Sequence, residues 1–390
     1  MDSARGSLES LRLGNRRAVL DALTRKGVLS RADIARHTGL SRTTVSGLVH
    51  ELIRDGVVTE STDRTRPHKG GSGRPPTVLT LGTPPGVVVG VDLGHRHVRV
   101  AAADLASNVL AEQHVDLDVD HDAARALDTV VQLLGRVLDG ADADLDRVRA
   151  VGMGVPGPVD IPAGRVTSPI LAGWRGMSPG EELRRRLGVT VRLDNDANAG
   201  ALGELTYGAA QGFADVIYLK IAGGLGAGLV LGGRLHHGAT GIAGEIGHVQ
   251  IREDGAVCRC GSRGCLETQV SAPKLVDVLQ PAHDQVLTVE SLLRLSDQGD
   301  AGVNRVLNDA GRTIGRVLAD LCNNLNPAAL VVGGDLGTSQ TLLSGIRDSV
   351  DRYAQPAVAS AVRVRPGALG ERAELMGALA MALETEEISG

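Results

Sequence analysis

One short stretch of the sequence constrains the chain more than any other. It begins as Gly244-Glu245-Ile246-Gly247-His248 and resumes ten residues after His248 as Cys258-Arg259-Cys260-Gly261-Ser262-Arg263-Gly264-Cys265-Leu266-Glu267. Three of the four cysteines lie within eight residues here. Three thiolates and one imidazole form the ligand set of a closed, four-coordinate zinc site. The stretch therefore predicts a structural Zn²⁺ held by His248, Cys258, Cys260 and Cys265.

Two other interpretations of the cysteines stay open: small buried hydrophobes, or one disulfide with a spare thiol. The tight spacing favours the metal, as does the reduced state of thiols in a cytosolic chain. With all four positions filled by protein, no open position is left for an activated water. The ion would therefore stabilise a loop that has little core of its own.

Carboxylates at both ends of this stretch indicate a ligand rich in hydroxyls, because each carboxylate accepts hydrogen bonds from two neighbouring sugar hydroxyls. A second polar group, Leu193-Asp194-Asn195-Asp196-Ala197-Asn198-Ala199, follows a strand predicted over 189–193. It therefore lies where ligands sit in α/β sheets. It also fits a polar turn that caps the next helix, and one carboxylate can do both. The predicted ligand-binding residues are Asn195, Asp196, Glu245, His248 and Glu267.

The N-terminal part has the spacing of a helix-turn-helix. Ser30 is placed to cap a helix over 31–37, Gly39 supplies the turn, and Ser41 is placed to cap a helix from Arg42 to about Asp55. Short strands at 57–59 and 77–80 complete a wing around a polar loop. The pattern predicts a winged helix-turn-helix.

Hydroxyls and a guanidinium at the start of the last helix suit phosphates and base edges in a major groove. An arginine in the wing, after Gly73, suits a minor groove. The predicted DNA-binding residues are Ser41, Arg42, Thr43, Thr44, Ser46 and Arg74. The alternative is a solvated three-helix protein-interaction domain. Because one recognition helix reads few base pairs, a homodimer or a dimer of dimers is expected on a double-stranded operator.

Charge is divided unevenly along the chain. Residues 1–80 carry a net charge of +6 and the remainder −11, so a basic module precedes an acidic body. That asymmetry predicts nucleic acid bound by the first module only. No apolar run of about 18 residues and no N-terminal signal pattern occurs. We therefore expect a cytoplasmic protein without a membrane partner.

Beyond residue 83 the pattern is that of two related α/β lobes with a cleft between them. An order of strand, hairpin and helix recurs after residue 213. The expected domains are a winged helix-turn-helix over 1–82, a first lobe over 83–200 closed by a helix at 371–384, and a second lobe over 201–370 with the zinc loop.

These motifs resemble the signature of the ROK family, which groups sugar-responsive repressors with sugar kinases. The Gly-Glu-x-Gly-His and Cys-x-Cys-Gly-x-x-Gly-Cys-x-Glu pattern carries the resemblance, supported by Val155-Pro156-Gly157-Pro158-Val159 and the stretch 193–199. The resemblance implies an actin-like, RNase H-like sugar-kinase fold. It also implies that Asp196, in a kinase, would be the base that deprotonates the sugar hydroxyl.

Three positions depart from the kinase pattern. The first loop reads Asp92-Leu93-Gly94-His95-Arg96-His97, with an imidazole in place of a glycine and no threonine after it. The second loop, 222–228, lacks its hydroxyl, and Ile170 stands where an asparagine is expected before Gly173-Trp174. Losing two phosphate donors costs roughly 1.5–3 kcal/mol each. No catalytic residue is therefore expected, and ATP with Mg²⁺ is an unlikely ligand.

Three hypotheses follow. The first is a sugar-responsive DNA-binding regulator, a repressor of carbohydrate uptake or catabolism genes, whose effector is a monosaccharide or sugar phosphate. The second is an ATP-dependent, glucokinase-like sugar kinase with an appended DNA-binding domain. The third is a purely structural, zinc-stabilised scaffold. It gives no function to the polar residues predicted around the cleft, Asn195, Asp196 and Glu245. We favour the first.

Overall fold

The structure is a computed structural model and describes residues 15–389 with gaps at 17, 24–25, 55, 63–76, 83–85, 162, 167–171 and 175. The chain separates into two compact units. The first consists of Met1–Val87 with Ala103–Val109, and the second of Val88–Ala102 with Leu110–Gly390.

The N-terminal part is a small helical domain with a two-stranded wing. Residues 15–16, 18–23 and 26 are helical. The following elements are α1 (Arg31–Thr38), α2 (Arg42–Arg54), β1 (Val58–Thr62) and β2 (Thr77–Leu81). The two strands pair antiparallel. Its core is apolar and consists of Val19, Leu23, Ile34, Val45, Leu48, Val49, Leu52 and Leu79, among others.

The predicted helix boundaries are confirmed by their caps. Oγ of Ser30 accepts from the backbone N of Asp33, and the Asp33 carboxylate accepts from the backbone N of Ser30, a reciprocal capping box. Gly39 adopts φ +72°, a left-handed conformation that ends α1. Oγ of Ser41 accepts from the backbone N of Thr44 at 3.1 Å and so caps α2.

The second unit contains two five-stranded sheets. The first sheet has the order β5-β4-β3-β6-β9. Its strands are β3 (Val87–Leu93), β4 (His97–Asp104), β5 (Val109–Asp116), β6 (Val148–Val155) and β9 (Val191–Asn195). Two short strands, β7 (Val159–Asp160) and β8 (Arg165–Val166), form a separate hairpin. The helices of this lobe are α3 (Ala123–Gly140), α4 (Pro179–Leu187), α5 (Asp196–Tyr207) and, from the C-terminus, α12 (Ala373–Ser389).

The second sheet repeats the order of the first as β12-β11-β10-β13-β14. Its strands are β10 (Val216–Ile221), β11 (Leu225–Leu231), β12 (Arg234–Leu235), β13 (Ala329–Gly333) and β14 (Arg363–Pro366). The helices of this lobe are α6 (Glu267–Val270), α7 (Ala272–Leu279), α8 (Val289–Asp297), α9 (Ala301–Leu325), α10 (Gln340–Tyr353) and α11 (Pro356–Ala361). Short 3₁₀ turns lie at Leu145–Arg147, Ala172–Trp174, Ile246–His248, Gln280–Ala282 and Gly370–Arg372.

Both sheets continue into parallel strands that are reached through helices. In the first, β6 pairs parallel with β9, and in the second, β10 pairs antiparallel with β11 and parallel with β13. The repeated order confirms the two related α/β lobes that the sequence predicted.

The C-terminal helix packs against the first lobe at backbone distance. A methyl group on Gly377 would collide with the carbonyl oxygen of Ala199 in α5, and one on Gly152 of β6 would collide with that of Ala378. The residues at these contacts are glycine or alanine, and their small size lets the two helices and the sheet approach closely.

Two elements differ from the sequence-based expectation. The strand expected at 189–193 runs from Val191 to Asn195, so Asn195 ends the strand and Asp196 begins a helix. β5 was not predicted, because it lies at the sheet edge and exposes most of its residues, which weakens the apolar alternation. None of the helices among the described residues is long and apolar enough to cross a membrane.

Candidate functional site

A cavity of about 790 Å³ lies between the two sheets of the second unit. All five ligand-binding residues predicted from the sequence line it: Asn195, Asp196, Glu245, His248 and Glu267. Gly223, Gly224, Gly226 and the loop 94–97 form a second part of the same wall. The residues predicted to bind a sugar and the two loops that depart from the kinase pattern therefore line one cavity.

Asn195 and Asp196 lie at the start of helix α5 and also line the cavity. Oδ1 of Asn195 accepts from the backbone N of Ala197 at 2.8 Å, and its Nδ2 donates to the carbonyl of Gly157 at 3.0 Å. Oδ1 of Asp196 also accepts from the backbone N of Ala197, at 2.8 Å. The helix-cap interpretation is thus correct for Asn195, and Asp196 keeps a carboxylate oxygen directed elsewhere.

That second oxygen of Asp196 is paired with Lys220, a residue that sequence reasoning missed. Nζ of Lys220 lies 2.9 Å from Oδ2 of Asp196 and 3.3 Å from Oε1 of Glu374. Burial alone would lower the pKa of Lys220, but the nearby carboxylates outweigh it and raise that pKa. The ammonium is therefore a fixed positive charge in the wall of the cavity.

Glu245 lies in a buried, acidic part of the cavity wall. It precedes the 3₁₀ turn Ile246–His248. Burial, together with the charges of Asp196 and Glu267, raises the pKa of Glu245 to about 7.

The four predicted metal ligands are brought together. The ligand atoms of His248, Cys258, Cys260 and Cys265 all lie within 4.8 Å of one another. The Sγ atoms of Cys260 and Cys265 are 3.8 Å apart, and Sγ of Cys258 lies 3.5 Å from Nδ1 of His248. A tetrahedral ion with bonds of about 2.3 Å to sulfur and about 2.0 Å to nitrogen holds such pairs about 3.8 and 3.5 Å apart. The cluster fits zinc.

The backbone around the cluster is closed by short hydrogen bonds. The backbone N of Cys258 donates to the carbonyl of Ser262 at 2.8 Å. A side chain at Gly264 would collide with the carbonyl of Arg252, so only glycine fits this crossing. Burial raises the pKa of the Cys258 and Cys265 thiols, and a cation is therefore needed to hold them as thiolates at neutral pH.

The metal cluster and the cavity share residues. Nδ1 of His248 faces the thiols, while its Nε2 lies 3.6 Å from Oε2 of Glu245. Oε1 of Glu267 accepts from the Cys258 thiol at 3.0 Å. A carboxylate behind a metal-bound imidazole fixes the orientation of the ring. Glu245 and Glu267 therefore lie beside the thiol cluster as well as in the cavity wall.

His95 of the first loop, 92–97, lies beside the second loop, 222–228. Nδ1 of His95 lies 2.6 Å from Oδ1 of Asp120. A methyl group built on Gly223 would lie 3.5 Å from the His95 ring. Arg259, which donates to the carbonyl of Gly223 at 3.1 Å, covers the same loop. These side chains occupy space that the glycines leave open.

The candidate DNA interface is the start of α2. Ser41, Arg42, Thr43, Thr44 and Ser46 are all exposed, whereas Val45, Leu48 and Val49 face the core. The hydroxyls of Ser41 and Thr44 are 2.8 Å apart and hydrogen-bonded to each other. Two predicted positions, Arg74 of the wing and Ile170, lie outside the described residues.

The residues that sequence reasoning missed are charged groups far apart in the chain. Lys220 and Glu374 join the cavity wall, and His237 pairs with Asp194 at 2.7 Å. One local signal pointed to the first of them: a lone lysine in the otherwise apolar strand Val-Ile-Tyr-Leu-Lys-Ile. A lysine in a buried strand needs a partner.

A winged helix-turn-helix followed by two lobes around a polar cleft defines the class: a DNA-binding module joined to a sugar-kinase-like α/β domain. A model of the ROK family matches residues 88–385, and a model of winged helix-turn-helix DNA-binding domains matches residues 12–59. The chain belongs to the ROK family.

Three relatives place the chain more narrowly. It is 27% identical over 383 residues to the xylose repressor of Caldicellulosiruptor bescii, covering 95% of both chains. A ROK family transcriptional regulator homologous to the Escherichia coli Mlc protein superimposes with a TM-score of 0.78 at 24% identity, covering 97% of this chain and 100% of that one. The ROK glucokinase of Streptomyces griseus, solved with glucose and AMPPNP, gives a TM-score of 0.68 at 30% identity, covering 77% of this chain and 100% of the kinase.

Proposed function

We propose that this protein is a sugar-responsive, DNA-binding transcriptional regulator that represses genes of carbohydrate uptake or catabolism. The observation that carries the proposal is that one chain contains two modules. The first is a helix-turn-helix whose second helix begins with exposed hydroxyl side chains, and the second is a two-lobed domain with a cleft lined by carboxylates. The match to a repressor along 95% of both chains supports it, since the kinase match leaves about a quarter of this chain uncovered.

The effector is a monosaccharide or sugar phosphate held by Asn195, Asp196, Glu245, His248 and Glu267. Carboxylates with free lone pairs suit vicinal hydroxyls, because each carboxylate oxygen accepts a hydrogen bond from a hydroxyl. A ligand that touches both lobes biases them toward the closed arrangement in proportion to its differential affinity. In a dimer, such closure changes the spacing of the two recognition helices.

The protein binds this sugar without phosphorylating it. Both glycine loops lack the hydroxyls that bond phosphates, and the His95 ring stands beside Gly223. Asp196, the position of the kinase base, is already paired with the Lys220 ammonium. ATP and Mg²⁺ are accordingly not part of the response.

Zn²⁺ is the structural cofactor of the thiol loop. His248, Cys258, Cys260 and Cys265 would hold it and leave no position for an activated water. The ion would fix His248 and thereby Glu245, so the zinc site serves effector binding and not DNA contact. A regulator of this kind acts in the cytoplasm as a homodimer or dimer of dimers on its operator.

Calorimetric titration with glucose, xylose and glucose 6-phosphate, each with and without Mg-ATP, tests the proposal. We expect one of them to bind with an affinity that ATP does not change. Glu245→Ala should weaken binding strongly and Asp196→Asn modestly, because the first leaves hydroxyls unpaired and the second exchanges an acceptor. Glu181→Ala, which removes an exposed carboxylate of α4, is the matched control.

Two further measurements complete this test. Footprinting on the DNA upstream of the protein's own gene should show protection that the bound sugar alters. A coupled ADP assay should show no sugar-dependent turnover. Turnover at about 1–100 per second would contradict the proposal and establish the sugar kinase instead.

A further inference from the structure

Lys220 pairs with carboxylates on two helices that are far apart in the chain. It belongs to β10 of the second lobe, and its two close carboxylates are carried by α5 and by the C-terminal helix α12. The side chain is only 13% exposed and lines the cavity. One buried ammonium thus connects Asp196 of the candidate effector site to Glu374 of the C-terminal helix.

The surrounding charges explain why the lysine stays ionised. Oε1 of Glu374 also accepts from the Tyr218 hydroxyl at 3.3 Å. A third carboxylate, Asp92, is 1% exposed and pairs through Oδ2 with His97, while its Oδ1 has no hydrogen-bond partner among the described residues. A buried cation surrounded by three carboxylates keeps its proton. The carboxylates thus raise the pKa of Lys220 above its ordinary value, and its ammonium stays charged near neutral pH.

We infer that Lys220 is a positioning residue of the effector site, which holds the Asp196 side chain in a set orientation before the sugar binds. The inference rests on the proposed function. Oδ1 of Asp196 takes the N–H of Ala197 and Oδ2 takes the ammonium, so each oxygen retains one lone pair for a hydroxyl. An acceptor that is already oriented loses less entropy when the sugar binds. Lys220 itself makes no contact with the sugar in this arrangement.

A purely structural role for Lys220 and a role in positioning Asp196 predict different sugar affinities for the variants. If Lys220 only stabilised the packing of the lobes, its loss would weaken sugar binding to the same extent whether or not Asp196 is intact. If Lys220 acts through Asp196, the losses in sugar affinity from the two substitutions are not additive. Once Asp196 has been replaced, replacing Lys220 as well should weaken sugar binding no further. A double-mutant cycle on sugar affinity separates the two.

The experiment uses the full chain and whichever of glucose, xylose or glucose 6-phosphate binds the wild type most tightly. Lys220→Met should weaken binding about 3- to 10-fold, no more than Asp196→Asn, because it disturbs the orientation of Asp196 without removing its oxygens. Lys220→Arg keeps the cation and should lose less. Lys274→Met removes an exposed lysine of α7 and should bind within about threefold of the wild type.

The decisive variant is Asp196→Asn/Lys220→Met. It should bind within about threefold of Asp196→Asn alone. Because it leaves one buried carboxylate fewer without its cation than Lys220→Met does, it should unfold at a higher urea concentration than that single variant. A double variant more than about threefold weaker than Asp196→Asn would overturn the inference and leave the proposed function standing. Failure of the wild type to bind any of the three sugars would overturn the proposed function, and the inference with it.

Discussion

Nε2 of His237 lies 2.7 Å from Oδ2 of Asp194, and this hydrogen bond joins the loop after β12 to the end of β9. The bond raises the pKa of His237 above its ordinary value of 6.5, against burial and the charge of Arg192. A group whose folded pKa is raised stabilises the fold fully below its unfolded pKa and loses that contribution as pH rises through the folded value.

The His237 pair should therefore make the protein less stable as pH rises above about 6.5, the ordinary histidine value. Urea unfolding of the wild type and of His237→Gln between pH 5.5 and 8.5 measures this. The difference in unfolding free energy between the two should shrink as pH rises. His236→Gln, at an exposed neighbour, serves as control. A difference that stays constant with pH would show that the pair does not titrate.

Two glycines in helices should respond to alanine in opposite directions. Gly377→Ala places a methyl group against the carbonyl of Ala199 and should destabilise the fold by about 1–3 kcal/mol. Gly135 of α3 is exposed with no atom near its missing side chain, and Gly135→Ala should stabilise by about 0.5–1 kcal/mol. Urea denaturation reports both, and equal effects at the two sites would refute the close packing of α12 on α5.

Zinc should be required for the sugar response and not for DNA binding. Cys260→Ser or Cys265→Ser removes a ligand, loosens the thiol loop and should abolish the response, because His248 and Glu245 lose their fixed orientation. Metal analysis of the purified protein and gel shifts with and without sugar measure the two effects. Cys322→Ser, at the buried cysteine of α9, should keep both zinc and response. Wild-type protein that lacks zinc yet responds to sugar would contradict the prediction.

DNA affinity should depend on Arg42 in a sequence-specific manner. If this exposed guanidinium reaches base edges, Arg42→Ala costs about 1–3 kcal/mol on the operator and much less on random duplex. Arg74→Ala, in the basic wing loop, should also weaken binding. Arg312→Ala, at an exposed ion pair of α9, is the control. An equal loss on both duplexes for Arg42→Ala would show that it contacts phosphate only.

The sequence was sufficient wherever a local signal carried the information. Capping residues such as Ser30 and Ser41 mark helix starts by hydrogen bonds that span three residues. Ligand spacing in 258–265 and the apolar runs of the β-strands act over similarly short ranges. The winged helix-turn-helix, the two related lobes and the thiol cluster were therefore predictable.

Tertiary structure alone decided how the cavity is charged. Lys220 lies 154 positions before Glu374 and 24 after Asp196, yet one ammonium holds both carboxylates. His237 and Asp194 are likewise brought together only by the meeting of two lobes. A buried charge is tolerated only with partners, and those partners are set by how separate elements pack, which no local pattern encodes. The chain's own residues thus specify its elements and its metal ligands, while the folded arrangement determines which carboxylates remain available to a sugar.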